Sequence, residues 1–335
     1  MTIEQLLNKA RKRIAVTDEE LVEAKRRRKL VADALKAEFG GRIYFNGSVA
    51  HGDANDPLTD FDLGVVIPDP DGTYGPDGKG PGELQERARK AIHDALIDEF
   101  PNLRIEVAGR KRSILVRFSA PVSDRLDDLT GDVIVALDRS EPGLWIPRHD
   151  SWDASHPEMH TTLILAGIAA TLMTLARANR LLKHWSGRHD DPLCSWHIKV
   201  LALDAITKRM PLIDALEAFF EHAHKALGNG DTPDPANVGP DIAPRVDHDH
   251  ARSRLQTALD EVRAAKQAER DDRPVRAQAH LANVLPDIVD QPTAQAIADE
   301  DRETELKRLR AAGNLTGVGV GSGLTLPNTR AWGRG

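Results

Sequence analysis

An α+β fold is what this sequence predicts, and three observations carry it. Residues 1–150 alternate helical periods with short β-like runs. From 151 to 312 the apolar spacing is helical throughout, and 313–335 form a Gly-rich tail. The reading is a mixed N-terminal domain, a helical C-terminal domain and a flexible tail. With 335 residues, 40 % of them hydrophobic, there is material for two cores. A formal charge of −7 argues against duplex nucleic acid as the main partner, while leaving room for a local basic groove. The single cysteine, Cys194, excludes an intramolecular disulfide and any multi-Cys zinc site. The opening "MTIEQLLNKARKRIAV" is polar and periodic, and no run approaches the roughly 18 apolar residues of a membrane span. A soluble cytoplasmic protein without a membrane partner is expected.

Residues 3–39 read as helical with a break near Val16, where Thr17 and Glu20 form a capping-box pattern. Leu21, Ala24, Val31, Ala34 and Leu35 then recur at helical spacing. The run "AKRRRK" on this helix is either a solvated face or a basic wall beside a phosphate cleft. "FGGRIYF" is a short strand behind a Gly turn, and the Gly/Pro-rich stretch 69–82 is loop. Residues 83–100 return to helix, followed by the β-like runs "RIEVAG", "SILVRFS" and "GDVIVALD". Beyond Trp152, "TTLILAGIAATLMTLARANRLLKHW" reads as one long helix. Residues 195–210 and 212–227 continue in helical period, 228–244 is loop, and 249–270 is a last strong helix.

The chemistry gathers in "FNGSVAHGDANDPLTDFDLGVVIPD", residues 45–69. In a strand, Asp60 and Asp62 project from one face about 6.6 Å apart along the chain. Two carboxylates so placed repel each other unless a cation sits between them. Oxygen donors without Cys or His favour magnesium or manganese. A pair of such ions ~3.5–4 Å apart suits phosphoryl transfer. Asp132, opening "DVIVAL", is the third carboxylate; Asp138, at the other end of that run, competes with it, and Asp124, Asp127 and Asp128 belong to a polar loop. Taken alone, Asp-x-Asp is as easily a turn or a strand cap. The Gly47-Ser48 turn upstream tips the balance, because a helix start presents N–H groups and a hydroxyl to an anion.

These residues resemble the nucleotidyltransferases of the DNA polymerase β superfamily: Gly-Ser, a spacer, Asp-x-Asp, then a later strand Asp. "RLLKHWSGRHDDPLCSWHIKVLALDA", residues 180–205, is similar to a segment shared by cyclic GMP-AMP synthase, oligoadenylate synthase and the bacterial cGAS/DncV-like nucleotidyltransferases (CD-NTases). "LWIPRHDSWDASHPEMH" and "DPANV" also fit bacterial members, and the likeness spans roughly residues 15–265. The resemblance implies a polymerase β-like domain and an α-helical domain of the oligoadenylate synthase type, forming a bilobal cleft. It implies that Asp60, Asp62 and Asp132 hold two magnesium ions (manganese as the alternative), with Asp132 nearest the attacking hydroxyl. Gly47 and Ser48 would hold the donor's terminal phosphates, Lys183 would neutralise the triphosphate, and Ser195 would hydrogen-bond to it. Trp196 would stack on the donor base where the family usually has Tyr; taken alone, Lys183 reads as a solvated cation and Trp196 as a core aromatic. The activity implied is synthesis of a cyclic di- or trinucleotide messenger from nucleoside triphosphates, acting through a downstream effector in bacterial antiphage (CBASS) defence. The alternatives are nucleotide transfer to tRNA or protein, and an inactive nucleotide-binding scaffold. The lone cysteine cannot build the zinc insertion of DNA-sensing relatives, so no stable DNA complex is expected.

Among the remaining features, "VDHDHAR" (Asp247 to His250) either binds a transition metal or caps the last helix, the cap fitting its place after a Pro/Gly loop. His51 is read as a hydrogen-bonded loop residue, with phosphate contact as the alternative. Ser195 and His197 cannot form a hydrolase pair, since residues two apart on a helix do not face each other. The tail ends at Gly335, which either offers a ubiquitin-transfer-like partner an attachment point or is plain disorder or a cloning remnant.

Overall fold

The computed structural model describes residues 1–109, 112–122 and 128–311. The Gly-rich tail with Gly335, and Asp124 and Asp127, lie outside the described residues. Residues 1–291 form one compact unit.

Helix α1 (Ile3–Arg13) and helix α2 (Asp18–Phe39) are separated as the capping box predicts: Thr17 Oγ1 accepts from the Glu20 N–H at 3.2 Å, and Glu20 Oε2 accepts from the Thr17 N–H at 3.2 Å. Strand β1 (Arg42–Asn46) leads into the five-residue helix α3 (Gly47–His51), and β2 (Asp60–Ile67) follows. Helix α4 (Gly82–Leu96) precedes β3 (Arg104–Glu106), β4 (Ile114–Arg117) and β5 (Thr130–Asp138). A hairpin of β6 (Leu144–Arg148) and β7 (Ser151–Ser155) completes a seven-stranded mixed sheet. Its main path runs β1-β2-β5-β4-β3, with β2 and β5 parallel and the other pairs antiparallel. One face, carrying Phe61, Leu63, Val65, Val133 and Val135, packs on α2 and α4 through residues such as Val31, Leu35, Leu84 and Ile92. Those side chains alternate along each strand, as a half-covered sheet requires.

The dense positive run on α2 is a solvated face in part: Lys25, Arg26 and Lys29 are exposed, while Arg27 and Arg28 turn inward. Arg27 is buried, with its guanidinium carbon 5.2 Å from the Phe100 ring centroid and 4.9 Å from that of Phe118, and Arg26 pairs with Glu23 and Glu99. Arg28 lies 4.1 Å over Phe45.

The second core is helical. It joins α5 (Pro157–Ala170), α6 (Thr174–Arg188), α7 (Ser195–Ala205), α8 (Leu212–Leu227), α9 (His248–Arg270) and α10 (Pro274–Val284) around Trp185, Phe219, Phe220 and many Leu and Ala side chains. Helix α1 belongs here too, because Ile3, Leu6, Leu7 and Ala10 are buried in this cluster rather than under the sheet. The stretch read as one long helix is broken: Leu172 and Met173 adopt positive φ (49° and 72°), and α5 and α6 meet at 113°. Thr171 organises the break, its hydroxyl accepting from the Leu175 N–H and donating to the Gly167 carbonyl. No single helix among the described residues is long and apolar enough to cross a membrane. The helix over 249–270 is not the last, since α10 follows. The second unit begins at Pro292, and its helix α11 (Ala294–Ala311) buries none of its residues.

Candidate active site

Strand register builds the carboxylate wall. Asn46, Asp62 and Asp132 are aligned partners on β1, β2 and β5, so their side chains leave one face of the sheet in a row, with Asp60 two residues before Asp62. Burial raises the Asp62 carboxyl to about 7, with Asp60 and Asp132 adding like-charge repulsion. Asp60 is raised for the same reasons, burial first and Asp132 second. Asp132 accepts a hydrogen bond from the Ser113 hydroxyl at 2.9 Å. Asp138 is spent elsewhere, paired with Arg42 at 2.8 Å, and Asp128 accepts from the Ser119 N–H.

Helix α3 meets this wall at its first residue. Gly47 has φ 75°, and a Cβ there would overlap Asp62 Oδ2, so any side chain would displace the carboxylate. Its N–H donates to Asn46 Oδ1 at 2.7 Å, the helix's own cap.

The opposite wall comes from α5, α6 and α7. A single cavity of about 640 Å³ is lined by Gly47, Ser48, Asp60, Asp62, Lys183, Ser195 and Trp196. Seven of the eight residues singled out in the sequence therefore border one space; Asp132 stands beside it in register with Asp62. Asn46, His51, His160 and Lys199 also line the cavity. Trp196 is half-buried and stands against the His160 ring at 4.5 Å between centroids. His160 is itself fixed by Asp234, with Nε2 and Oδ1 2.6 Å apart, and Asp234 also accepts from the N–H groups of Val238 and Gly239.

Sequence reasoning missed Asn46, Asp53, His160 and Lys199. Asn46 carried a signal, an Asn directly before a helix start. Lys199 stands four residues after Ser195, the spacing that puts both on one helix face. Asp53 and His160 carried none. Two secondary readings have clear outcomes: Asp247 caps α9 by accepting from the His250 N–H at 2.8 Å, and His197 is buried with Nε2 2.7 Å from Thr232 Oγ1 rather than paired with Ser195.

Among the described residues no three His, Cys, Asp or Glu side chains, the aspartates included, stand close enough to hold one metal ion by themselves. The donor chemistry still suits a hard cation. Magnesium binds through one or two carboxylates plus water and substrate phosphates, and two half-buried carboxyls with raised pKa are a site that a cation would relieve.

No family model and no curated protein matches the sequence. Shape does match. CdnC of Escherichia coli MS115-1, solved with ATP, aligns at TM-score 0.66 and 17 % identity over 87 % of this chain and 99 % of its own. That protein has also been solved with a HORMA partner. The CD-NTase CdnG of Bradyrhizobium diazoefficiens, in complex with GTP, gives 0.64 and 14 % over 90 % of this chain and 99 % of its own. Vibrio cholerae DncV, a cyclic AMP-GMP synthase and prokaryotic cGAS homolog, gives 0.55 and 14 % over 88 % of each. The mixed sheet with its helical companion is therefore a nucleotidyltransferase fold. More narrowly, it is the fold of the cGAS/DncV-like enzymes.

Proposed function

We propose that this chain is a nucleotidyltransferase, dependent on magnesium or manganese, that joins nucleoside triphosphates into a cyclic di- or trinucleotide. Its place would be bacterial antiphage (CBASS) defence, with the product acting on a downstream effector. One observation carries the reading: two distant sequence blocks, Gly47 to Asp62 and Lys183 to Trp196, line the same cavity.

Asp60 and Asp62, with Asp132 beside them, are the groups that would hold the cation pair. When bound, the ions lower the pKa of the acceptor hydroxyl and neutralise charge on the departing pyrophosphate. The rest is positioning by the chain's own groups. Ser48 and the first turn of α3 receive the terminal phosphates, and Lys183 and Ser195 hold the triphosphate from the helical side. Trp196 offers its face to the donor base. The acceptor's ribose oxygen forms a new bond to the α-phosphorus as the bond to the β-phosphate oxygen breaks, and the hydroxyl proton is lost. A second round on the linear intermediate closes the ring.

The test is incubation with the four nucleoside triphosphates and magnesium or manganese, without any macromolecular acceptor, followed by phosphatase treatment and mass spectrometry. Phosphatase-resistant cyclic products are expected, and Asp60→Ala with Asp62→Ala should abolish them while the protein stays folded. Label appearing only on an added tRNA or protein, or unchanged turnover in the double variant, would refute the proposal.

A further inference from the structure

Behind the helical wall of the cavity, Lys183 belongs to a buried charge cluster whose other members have no role in the steps above. Asp53 is fully buried, just past Gly52, whose φ of 68° ends α3. Its Oδ1 is 3.0 Å from Lys199 Nζ and 3.6 Å from Lys183 Nζ, and its backbone carbonyl accepts from Lys183 Nζ at 2.5 Å. Asn179 Nδ2 donates to Oδ2 at 3.4 Å, and the Asp53 N–H donates to the Ser48 carbonyl at 3.1 Å. Lys199 Nζ also meets His51 Nδ1 at 2.9 Å, while His51 Nε2 stands 3.3 Å from Thr161 Oγ1. Arg180, next along α6, donates to the Gly52 carbonyl.

The charges in this cluster do not cancel. Burial, with Lys199 next, drives the His51 imidazole down to about 3, so it is neutral and accepts from the lysine. Burial opposes ionisation of Asp53, but Lys199 and Lys183 outweigh it and hold the carboxyl below its ordinary value. One carboxylate faces two amines with the Arg180 guanidinium alongside, so with both lysines protonated the cluster keeps an excess of positive charge. Both lysines line the cavity and Asp53 does not. Their field reaches across: Lys183 and Lys199 both favour the ionised form of Asp60, and Lys199 that of Asp62.

Tying α3 to α6 and α7 accounts for one lysine from each helix, but not for both ammonium groups also lining the cavity. Two lysines sharing it, both turned to the cavity, make a cationic pair that is held in place without being neutralised. We propose that Asp53 is a positioning residue: from behind the wall it fixes Lys183 and Lys199 as a cationic pair turned toward the polyphosphate of a nucleoside triphosphate, and it locks that pair to the Gly47–His51 turn. The inference rests on the nucleotidyltransferase reading for its substrate, though not for its charge coupling.

Burial already lowers Lys183 to about 8, with Asp53 opposing the drop and Lys199 and Arg180 adding to it. Asp53→Asn removes that opposing negative charge, so Lys183 loses its proton at lower pH. Two readouts on the full-length protein test this: lysine 13Cε NMR titration, and steady-state kinetics across pH. In Asp53→Asn the Lys183 midpoint should fall by about one unit or more, and KM for the triphosphate near pH 8 should rise by about tenfold, with a smaller change in kcat. The pH at which KM begins to climb should fall in step. Adding Lys199→Met removes the neighbouring ammonium, so Lys183 in Asp53→Asn/Lys199→Met should titrate above its position in Asp53→Asn. Should Asp53→Asn not fold, the double variant is compared with Lys199→Met alone, and loss of Asp53 must again lower the Lys183 midpoint. An unmoved Lys183 titration, or kcat and KM changing without a shift in the pH profile, overturns the proposal. A parent protein that turns over no nucleotide defeats the proposed function instead, and the NMR titration still decides the coupling.

Discussion

The two walls of the cavity handle charge in opposite ways. On the sheet side, Asp60 and Asp62 stand together, and their carboxyls are pushed upward, Asp62 to about 7. On the helical side, Lys183 and Lys199 share a buried aspartate, which is held well ionised. One wall carries crowded carboxyls that a cation would relieve, whereas the other holds an excess of positive charge fixed in place before any ligand enters. On the proposed function that asymmetry suits a metal–polyphosphate complex: a metal would complete the first wall, and the phosphates would meet the second. It also assigns different losses to the two walls, chemistry to one and binding to the other.

The largest effect should follow from damage to the strained wall. Asp62→Asn is expected to lower kcat by roughly three orders of magnitude, measured as pyrophosphate release. A drop confined to KM would erase the distinction between the walls. Next in size, Lys183→Met should raise KM for the triphosphate by roughly tenfold, about 1.4 kcal/mol of binding, with kcat affected less. Equal losses in kcat and KM would place Lys183 in the chemistry instead. The smallest effect is on stability. Asp62 has a raised folded pKa, so between about pH 4 and about 7 the unfolded chain releases a proton that the folded one keeps, and metal-free stability falls as pH rises through that window. Asp62→Asn lacks this penalty, so in chelator near pH 8 its Tm should exceed that of the parent by about 2–4 °C. Magnesium should in turn raise the parent's Tm more near pH 8 than near pH 5, because its ligands must be ionised. Scanning calorimetry reads both, and a parent whose Tm ignores pH and magnesium would remove the strain from the account.

The carboxylate wall was legible in the sequence because local spacing builds it. Asp60 and Asp62 are two residues apart on a strand, and Gly47-Ser48 opens a helix just upstream, so strand and helix periodicity suffice. The same locality made the α1–α2 boundary readable from Thr17 and Glu20. The lysine wall was legible only in part. Lys183 stood out by resemblance, but its tie to Asp53 spans 130 residues of chain, and no pattern of adjacent residues encodes such a pairing. The break between α5 and α6 was hidden for a related reason. It has no Gly or Pro of its own, and two ordinary side chains, Leu172 and Met173, take left-handed backbone around the Thr171 hydroxyl. Asn46, by contrast, could have been found, since an Asn before a helix start is a cap signal.

Helix α1 leaves the chain doubly stitched. The polypeptide starts in the helical core, passes through residues 14–17 to the sheet, and returns through His156 to α5. Any displacement of one core against the other would therefore have to strain both crossings together, and the buried Asp53 ion pairs with them. Clipping the chain at that first crossing would cut one of the two covalent links and leave α1 held to the helical core by packing such as that of Leu6, Leu7 and Ala10.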